Sequence, residues 1–437
     1  PEFESRVIDL TTRIFCEPQL KTDKELLVNF LKEQKQETID AIESSGLDRA
    51  TLASNQKFAA WAKEQGLDVP EKESPATGKM IPAFGKNDAA FKQWKREHDE
   101  YDHVFKARER VKSRLNETRA ERFLSNTTED GYLPTPLKYY AAHTGRFGGA
   151  EKINLQNLPR NSPLRKALTA PLGKLLYVAD LSQIEARLLA WISGQKDLVE
   201  DYRKGVDIYS SFASGLYGYS VSKERPEERF VGKTAILGLG YGMGANKFRA
   251  TCAQADIQVT QQFAQNTVNK YRSTYSYIPE FWNRSTGMLR FSTDVKPYYY
   301  NEKRPMSYNY KCLSVVNNGI RLPNGLALQY PDLQLLSYAK LSYKNYGKVE
   351  YTYGGRITEN IVQALARIVI CEHMLKIQSY TDLDVVLTVH DEIVALGDAK
   401  DPQIKLDNMI KIMTTPPSWA PDLPLAAEGG WDTCYSK

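Results

Sequence analysis

The amino-acid sequence predicts an α+β fold in which helical segments surround a few buried strands. Helical hydrophobic periodicity covers much of residues 22–66, 88–123, 245–290 and 358–378. An apolar run rich in strand formers ends at Asp180, and two further apolar runs flank the polar residues His390, Asp391 and Glu392. The chain is therefore organised around two elements, a strand that ends at an acidic residue and a later hairpin with acidic residues at its turn.

Composition sets broad limits on the class of protein. The 437 residues are enough for two or three subdomains sharing an extended core, and 42% hydrophobic with 25% charged residues are ordinary globular values. The net charge of +5 permits nucleic-acid binding without requiring it. No apolar run approaches the roughly 18 residues of a membrane span, and no signal peptide opens the sequence. Five scattered cysteines without a Cys-x-x-Cys pair predict a reducing, cytoplasmic setting and argue against a zinc site.

The first acidic site lies where a core strand gives way to a helix. The apolar run before Asp180 predicts a strand that places this carboxylate at its C-terminal tip, open to a cleft. Ser182 and Glu185 form a capping-box pattern, which predicts that a helix begins there. A simple turn residue after a core strand is the alternative interpretation of Asp180.

The second acidic site is a predicted β-hairpin that carries His390, Asp391 and Glu392 at its tip. Acids at a hairpin tip are usually solvated, but here both arms are apolar, so buried acids would need a counter-charge. Mg²⁺ binds one or two carboxylates together with substrate phosphates, and two such ions about 3.5–4 Å apart serve phosphoryl transfer. Asp180 and Asp391 are the candidate pair that bridges two Mg²⁺ ions.

The helical segment 88–123 is rich in lysine and arginine and follows a loop at 68–87 that contains proline, glycine and lysine. Acids alternate with the bases, which is typical of a solvated, salt-bridged helix face. The alternative is a helical arm that contacts the nucleic-acid backbone.

Two later stretches combine residue types that suit nucleotide contacts. Thr144–Gly149 and Asn154–Pro159 contain glycines, amides and Arg146, although ordinary turn chemistry explains most of this pattern. In a helix predicted to begin at Pro226, side chains at every fourth position would suit a triphosphate and its base, unless they form a solvated stripe. These side chains are Arg229, Lys233, Leu237 and Tyr241.

The segment from Lys296 to Tyr353 is rich in tyrosine and is predicted to be irregular or strand-like, with the rings packing rather than stacking on bases. A helix over 358–378 follows, with Asn360, Gln363 and Arg367 as its polar positions.

Three motifs in order resemble those of the DNA polymerase I family (family A), especially its phage-encoded members. Asp180–Glu185 is similar to the first palm motif, Arg229–Gly242 to the mobile fingers helix, and Val389–Glu392 to the last palm motif. Thr144–Arg146 and Asn154–Pro159 resemble the segments that hold template and primer. The resemblance runs from about residue 15 to the end and is firmest from residue 139.

The resemblance implies a right-hand polymerase fold with a helical thumb, a palm built on an antiparallel sheet, and helical fingers. We expect the thumb with a short N-terminal lead-in at 1–130, the palm at 131–200 and 351–437, and the fingers at 201–350. No exonuclease segment is recognised, and the sequence is expected to be the polymerase part of a longer protein. The implied partners are primer-template DNA and deoxynucleoside triphosphates, the implied state is a monomer, and any processivity partner is unspecified.

The resemblance also assigns roles to individual residues. Asp180, Asp391 and Glu392 are expected to be catalytic. Asp180, Asp391 and the Leu181 carbonyl are expected to bind two Mg²⁺ ions, which Mn²⁺ can replace. The residues implied to bind the incoming nucleotide are Arg229, Lys233, Leu237, Tyr241, Gln183, Glu185 and Tyr209. The residues implied to bind DNA are Arg146, Gln156, Asn157, Arg356, Gln363 and His390.

Departures from the family pattern bear on how the nucleotide is held. Leu237 stands where Phe or Tyr is usual, Tyr209 stands where many cellular members have His, and the spacing around Asn360 is one residue shorter than in bacterial members. A single-subunit RNA polymerase shares the two aspartates, but Glu185, implied to exclude a 2′-hydroxyl, argues against it. A nucleic-acid-binding replication protein with an inactive site is the alternative from another class.

Overall fold

The computed structural model describes residues 1–74, 77–86, 88–292, 309–337, 340–345 and 347–436. The chain divides into two compact units. Unit 1 comprises Pro1–Leu20, Pro134–Leu158 and Ala170–Lys437, and unit 2 comprises Lys21–Leu133 and Pro159–Thr169. The N-terminal residues thus belong with unit 1. The division into thumb, palm and fingers stays a prediction.

The first third of the chain is mainly helical, which agrees with its periodicity. Its elements are α1 (Glu2–Cys16), β1 (Lys21–Thr22), α2 (Lys24–Ser45), α3 (Arg49–Ala53), α4 (Asn55–Glu64), β2 (Glu71–Glu73), β3 (Met80–Pro82), α5 (Ala89–Glu97), α6 (Asp102–Lys112) and α7 (Leu115–Asn126). The Pro- and Gly-rich loop contains the short β2–β3 hairpin, which the sequence did not predict.

The middle third runs through short strands into a long series of helices. Its elements are β4 (Leu137–Lys138), β5 (Gly148–Gly149), α8 (Pro163–Lys166), β6 (Leu168–Thr169), β7 (Lys174–Leu181), α9 (Ile184–Ser193), α10 (Lys196–Arg203), α11 (Ile208–Tyr217), α12 (Pro226–Leu239), α13 (Ala245–Gln254), α14 (Gln261–Thr274) and α15 (Tyr277–Phe291). The predicted helical start at Pro226 is confirmed.

The last third alternates small sheets with two helices. Its elements are β8 (Asn309–Tyr310), β9 (Leu313–Val316), β10 (Gly319–Arg321), β11 (Ala327–Gln329), β12 (Gln334–Ser337), β13 (Lys340–Asn345), β14 (Lys348–Thr352), α16 (Gly354–Tyr380), β15 (Asp384–Val389), β16 (Glu392–Asp398), α17 (Pro402–Met413) and β17 (Ala427–Asp432). The parts of the tyrosine-rich prediction at 296–308, 338–339 and 346 lie outside the described residues.

Unit 2 has an aromatic core and a charged surface. Phe58, Phe84, Phe91 and Phe105 are buried in one cluster, and the guanidinium of the buried Arg108 lies 4.2 Å from the centre of the Phe58 ring. Ion pairs join many of the lysines and arginines of α5–α7 to acids, as expected for a salt-bridged face; they include Lys95–Glu109, Lys106–Asp102, Arg110–Glu37 and Arg114–Glu117.

Unit 1 is built on an antiparallel sheet with the strand order β15-β16-β7-β17. β7 is an interior strand whose residues Leu175–Ala179 are buried; β16 and β17 pair with its two edges, and α17 packs against it. The sequence did not predict β17, whose Gly429 and Gly430 weaken an intrinsic strand signal. A Cβ on Gly429 would lie 2.7 Å from the Val178 carbonyl oxygen, so close packing there requires glycine.

Candidate active site

The sheet brings the two predicted aspartates together. Glu392, the first residue of β16, is paired in register with Asp180 on β7. His390 and Asp391 form the two-residue turn between β15 and β16, which confirms the predicted hairpin. The Leu181 N–H donates a hydrogen bond of 3.0 Å to the Asp391 carbonyl oxygen, so the end of β7 is fastened to the hairpin tip.

Electrostatics at this tip favour a cation. Partial burial raises the pKa of Asp391, and the negative charge of Asp180 raises it further. A divalent ion bound beside a half-buried carboxylate of this kind would stabilise its ionised form. In the described ranges, no group of three or more His, Cys, Asp and Glu side chains is arranged to hold a metal. Two carboxylates still fit Mg²⁺, which takes its remaining ligands from water and substrate phosphates.

Backbone geometry on either side of the carboxylate pair is unusual. Gln183 has φ of 54° and His390 has φ of 56°, and a non-glycine residue adopts this left-handed region only when its surroundings hold it there. α9 therefore begins at Ile184 after Gln183, which places no side-chain cap on the helix. The predicted capping box is wrong, because Ser182 lies before this turn and its carbonyl oxygen accepts from the Arg187 Nε at 2.8 Å.

Glu185 faces two polar partners instead of capping the helix. Arg146 Nη2 donates to one carboxylate oxygen of Glu185, and the Tyr241 hydroxyl donates to the other at 3.4 Å. Burial lowers the pKa of Arg146 and raises that of Tyr241 well above its usual value. The structure thus joins three predicted site residues that are far apart in the sequence.

Glu392 is buried and is less accessible than the two aspartates. The hydroxyl of Tyr435, itself 1% exposed, donates a hydrogen bond to Glu392 Oε1. The sequence analysis did not single out Tyr435, because nothing in the local pattern links it to a residue 43 positions earlier.

Arg229 is held by an acid that the sequence analysis missed. Its Nε donates to Asp207 Oδ2 at 2.8 Å and its Nη2 to Asp207 Oδ1 at 3.3 Å. Burial opposes ionisation of Asp207, but hydrogen bonds from Arg229 and Ser210 lower its pKa overall. The guanidinium also lies 5.4 Å from the centre of the buried Tyr209 ring, where burial raises the tyrosine pKa to about 12. The Asp-x-x-Ser pattern at 207–210 signals a helix start, which is observed at α11.

The rest of the predicted α12 face is open. Lys233 is exposed, and Leu237 is 38% exposed although it is apolar, so this face is available to a ligand. Tyr241 lies in the turn after the helix, which ends at Leu239. α12 approaches α11 very closely at Gly232, where an added Cβ would lie 2.2 Å from the Tyr209 carbonyl oxygen.

The residues predicted to bind DNA have differing environments. Gln363 Oε1 accepts from the Thr144 hydroxyl at 3.4 Å, which brings α16 to the loop that carries Arg146. Gln156 is buried and donates to the Thr388 carbonyl at 3.4 Å, below the hairpin tip, whereas Asn157 is exposed.

The other two residues predicted to bind DNA lie at the surface. Arg356 is paired with Glu350 at 2.8 Å and keeps 44% of its side chain exposed. His390 is exposed, and partial desolvation with the charge of Arg146 lowers its pKa.

The model of DNA polymerase family A matches residues 20–436 of this chain. The chain belongs to this family. Among curated family A relatives, the DNA polymerase of Bacillus phage SP02 is 27% identical over 350 residues, which are 69% of this chain and 52% of that protein. DNA polymerase I of Treponema pallidum is 28% identical over 261 residues, or 59% of this chain and 24% of the relative. The chain spans about half the length of the phage relative.

A solved structure shows the same fold. The polymerase domain of Pol1 from M. smegmatis, in complex with DNA primer-template and dNTP, superposes with a TM-score of 0.74 at 19% identity, covering 99% of this chain and 70% of that one. The α+β class and the right-hand polymerase fold are therefore confirmed. Family A polymerases generally use divalent metal ions. In the part of the chain that the structure describes, no helix is both long and apolar enough to cross a membrane.

Proposed function

We propose that this chain is a template-directed DNA polymerase, a nucleotidyltransferase that adds deoxynucleotides to a primer 3′ end. The observation that carries the proposal is the meeting of Asp180 and Asp391 at adjacent strand ends, where the charge of one raises the pKa of the other. The open face of α12, with its exposed Lys233, supplies the complementary positive charge for a triphosphate.

Asp180, Asp391 and the Leu181 carbonyl would hold two Mg²⁺ ions, and Mn²⁺ could substitute for them. Two bound divalent ions stabilise the attacking and leaving oxygens of an in-line phosphoryl transfer. The protein contributes positioning, since phosphoryl transfer needs little covalent chemistry from side chains. The hydrogen bond from Leu181 to Asp391 and the left-handed residues Gln183 and His390 would help to fix the positions of both carboxylates. Glu392, held by Tyr435, would support this arrangement from below.

The fingers helix α12 would bind the triphosphate through Arg229 and Lys233. Arg229 is oriented by Asp207, so its guanidinium is already ordered when the nucleotide arrives. Leu237 and Tyr241 would lie against the sugar and base, with Gln183 and Tyr209 completing the pocket. Leu237 offers an apolar contact without a ring.

Glu185 would exclude ribonucleotides by occupying the space next to the sugar 2′ carbon. Its two partners, Arg146 and Tyr241, prevent the carboxylate from turning away to admit a 2′-hydroxyl. Selection for deoxynucleotides distinguishes this proposal from an RNA polymerase.

Arg146, Asn157, Arg356, Gln363 and His390 would contact the primer-template. Gln156, which is buried, would act by supporting the hairpin through Thr388. In this proposal, unit 2 would form most of the thumb and the strands around β7 would form part of the palm. We propose that the chain acts as a monomer in phage DNA replication in the host cytoplasm, without assigning a processivity partner.

Primer extension on a defined template, with Mg²⁺ and each deoxynucleotide supplied singly, tests the proposal. The wild-type chain should add only the complementary nucleotide. Asp391→Ala should lower the rate at least about a hundredfold while primer-template affinity stays within severalfold. Asp407→Ala, an exposed aspartate on α17, is the matched control and should extend normally.

Two results would contradict the proposal. Extension by Asp391→Ala at the control rate would remove that carboxylate from the metal site. Tight DNA binding without extension by the wild type in any divalent metal would favour the inactive nucleic-acid-binding alternative.

A further inference from the structure

In the sheet β12-β13-β14, strands β13 and β14 pack large side chains against the core on one face and expose large side chains on the other. The packed face carries the buried Leu341 and Tyr343, and the Tyr343 hydroxyl donates to Glu350 at 3.1 Å. Strand alternation puts Val349 and Tyr351 on the opposite face, where they are 60% and 52% exposed. A small sheet that leaves neighbouring large apolar side chains in water on one face is a candidate binding surface.

Basic side chains accompany the exposed rings on this face. Register places Lys340 diagonally across from Tyr351, and Lys340 Nζ lies 4.3 Å from the centre of the Tyr351 ring. Lys344 projects from the same face and pairs with Asp332 at 2.9 Å. An exposed ring with an ammonium beside it matches a nucleotide, because the ring can stack on a base while the cation meets the adjoining phosphate.

The open face continues to the proposed nucleotide site. Tyr353 follows β14, alternates onto the same face as Tyr351, and is 50% exposed. A Cβ on Gly242 would lie 3.3 Å from Tyr353 Cε2, so this ring packs against the residue that follows Tyr241. Tyr353 is also the N-cap residue of α16, which begins at Gly354.

We propose that the face formed by Lys340, Tyr351 and Tyr353 binds the single-stranded template ahead of the site. Bases of the unpaired template would stack on Tyr351 and then on Tyr353 before reaching the Tyr241–Gly242 turn. Lys340 would contact the phosphates. The inference rests on the proposed polymerase function, and it adds a binding surface on a sheet separate from the one that carries the aspartates.

Fluorescence anisotropy with two primer-templates tests the inference. One substrate has a single-stranded template overhang of about two nucleotides and the other of about twelve, within the usual range of single-strand site sizes. Tyr351→Ala should weaken binding of the long-overhang substrate about tenfold, the loss expected for one base–aromatic stack, and leave the short-overhang substrate unchanged. Tyr351→Phe keeps the ring and should bind as the wild type does.

Tyr380→Ala, an 80% exposed tyrosine at the end of α16, is the matched control and should bind both substrates normally. The inference is overturned if Tyr351→Ala matches this control on the long overhang, or if both substrates weaken equally. Equal weakening in Tyr351→Ala with an altered circular dichroism spectrum would also overturn it, since the effect would then be a folding defect. Extension of the short-overhang primer tests the polymerase proposal separately, because it does not need this surface.

Discussion

Truncating Glu4 to alanine should destabilise the protein by about 3–5 kcal/mol, the usual cost of leaving a buried charge without its partner. Glu4 on α1 is 3% exposed and Arg367 on α16 is 4% exposed. The Glu4 carboxylate accepts hydrogen bonds from Arg367 Nη1 and from Arg367 Nη2 at 2.8 Å. It also accepts from the Tyr139 hydroxyl and, at 2.6 Å, from Asn324 Nδ2. Alanine would leave all of these donors without an acceptor in the interior.

The same substitution should weaken primer-template binding. The Arg367 guanidinium lies 5.4, 5.8 and 5.7 Å from the ring centres of Tyr139, Tyr140 and Phe147. These rings come before and after the turn that carries Arg146, so Arg367 stabilises that turn by packing against them. Without its counter-ion, Arg367 would hold the Arg146 turn less firmly. We therefore expect the affinity for primer-template DNA to fall together with the free energy of unfolding.

Urea unfolding followed by circular dichroism measures the stability change. Glu2→Ala is the matched control, because Glu2 lies in the same helical turn and is exposed. The double variant Glu4→Leu with Arg367→Met should be more stable than Glu4→Leu alone, because it removes both charges together. If Glu4→Ala unfolds within about 0.5 kcal/mol of Glu2→Ala, the pair is not a buried anchor and the reasoning fails.

Acid titration gives an independent check of the same pair. Burial alone would raise the pKa of Glu4, but hydrogen bonds from Arg367, Tyr139 and Asn324 and the charge of Arg367 bring it below the ordinary 4.5. Because the folded pKa is the lower one, the stability due to ionised Glu4 is present above the unfolded pKa and is lost as pH falls through the folded pKa. The difference in unfolding free energy between wild type and Glu4→Gln should therefore shrink below the ordinary pKa, and a constant difference would contradict this.

Two further predictions concern α12 and Glu185. Gly232→Ala should lower the free energy of unfolding by about 1–3 kcal/mol, because the new methyl would lie 2.2 Å from the Tyr209 carbonyl oxygen. Gly215→Ala on α11 is the control: its methyl would meet only the end of a lysine side chain, so it should be neutral or stabilising in thermal melts. Equal melting temperatures for the two variants would refute the close helix contact. Glu185→Ala should raise ribonucleotide incorporation, measured as the ratio of kcat/KM for a ribonucleotide to kcat/KM for the matching deoxynucleotide. Tyr241→Phe should raise this ratio less, because it removes only a 3.4 Å hydrogen bond to Glu185. An unchanged ratio in Glu185→Ala would leave no selective role for this carboxylate.

Local patterns predicted the elements that carry the aspartates, because both lie at the ends of strongly apolar strands. The position of Pro226 likewise predicted the start of α12, and hydrophobic periodicity predicted the long helix α16. β17 escaped prediction because close contact with β7 requires glycine at Gly429, a tertiary constraint that overrides strand propensity.

Partners were less predictable than elements. Ser182 and Glu185 match a capping box in sequence, but the left-handed Gln183 between them redirects Glu185 toward Arg146. Asp207 was recognisable only as a helix cap, and its bond to Arg229 spans 22 positions. Such pairings depend on how helices pack, which single-residue patterns do not encode.

The order of strands in the main sheet has a consequence during synthesis of the chain. β7 occupies the interior of the sheet, yet β16 follows it by roughly 200 residues and β17 by more. At about 5–20 residues per second, the ribosome needs about 10–40 s to deliver β16 after β7. During that interval an apolar strand has neither of its neighbours, which makes it a site for chaperone binding or for mispairing with another nascent chain. The two aspartates can meet only after β16 has been synthesised, so nascent chains that end before β16 have no carboxylate pair.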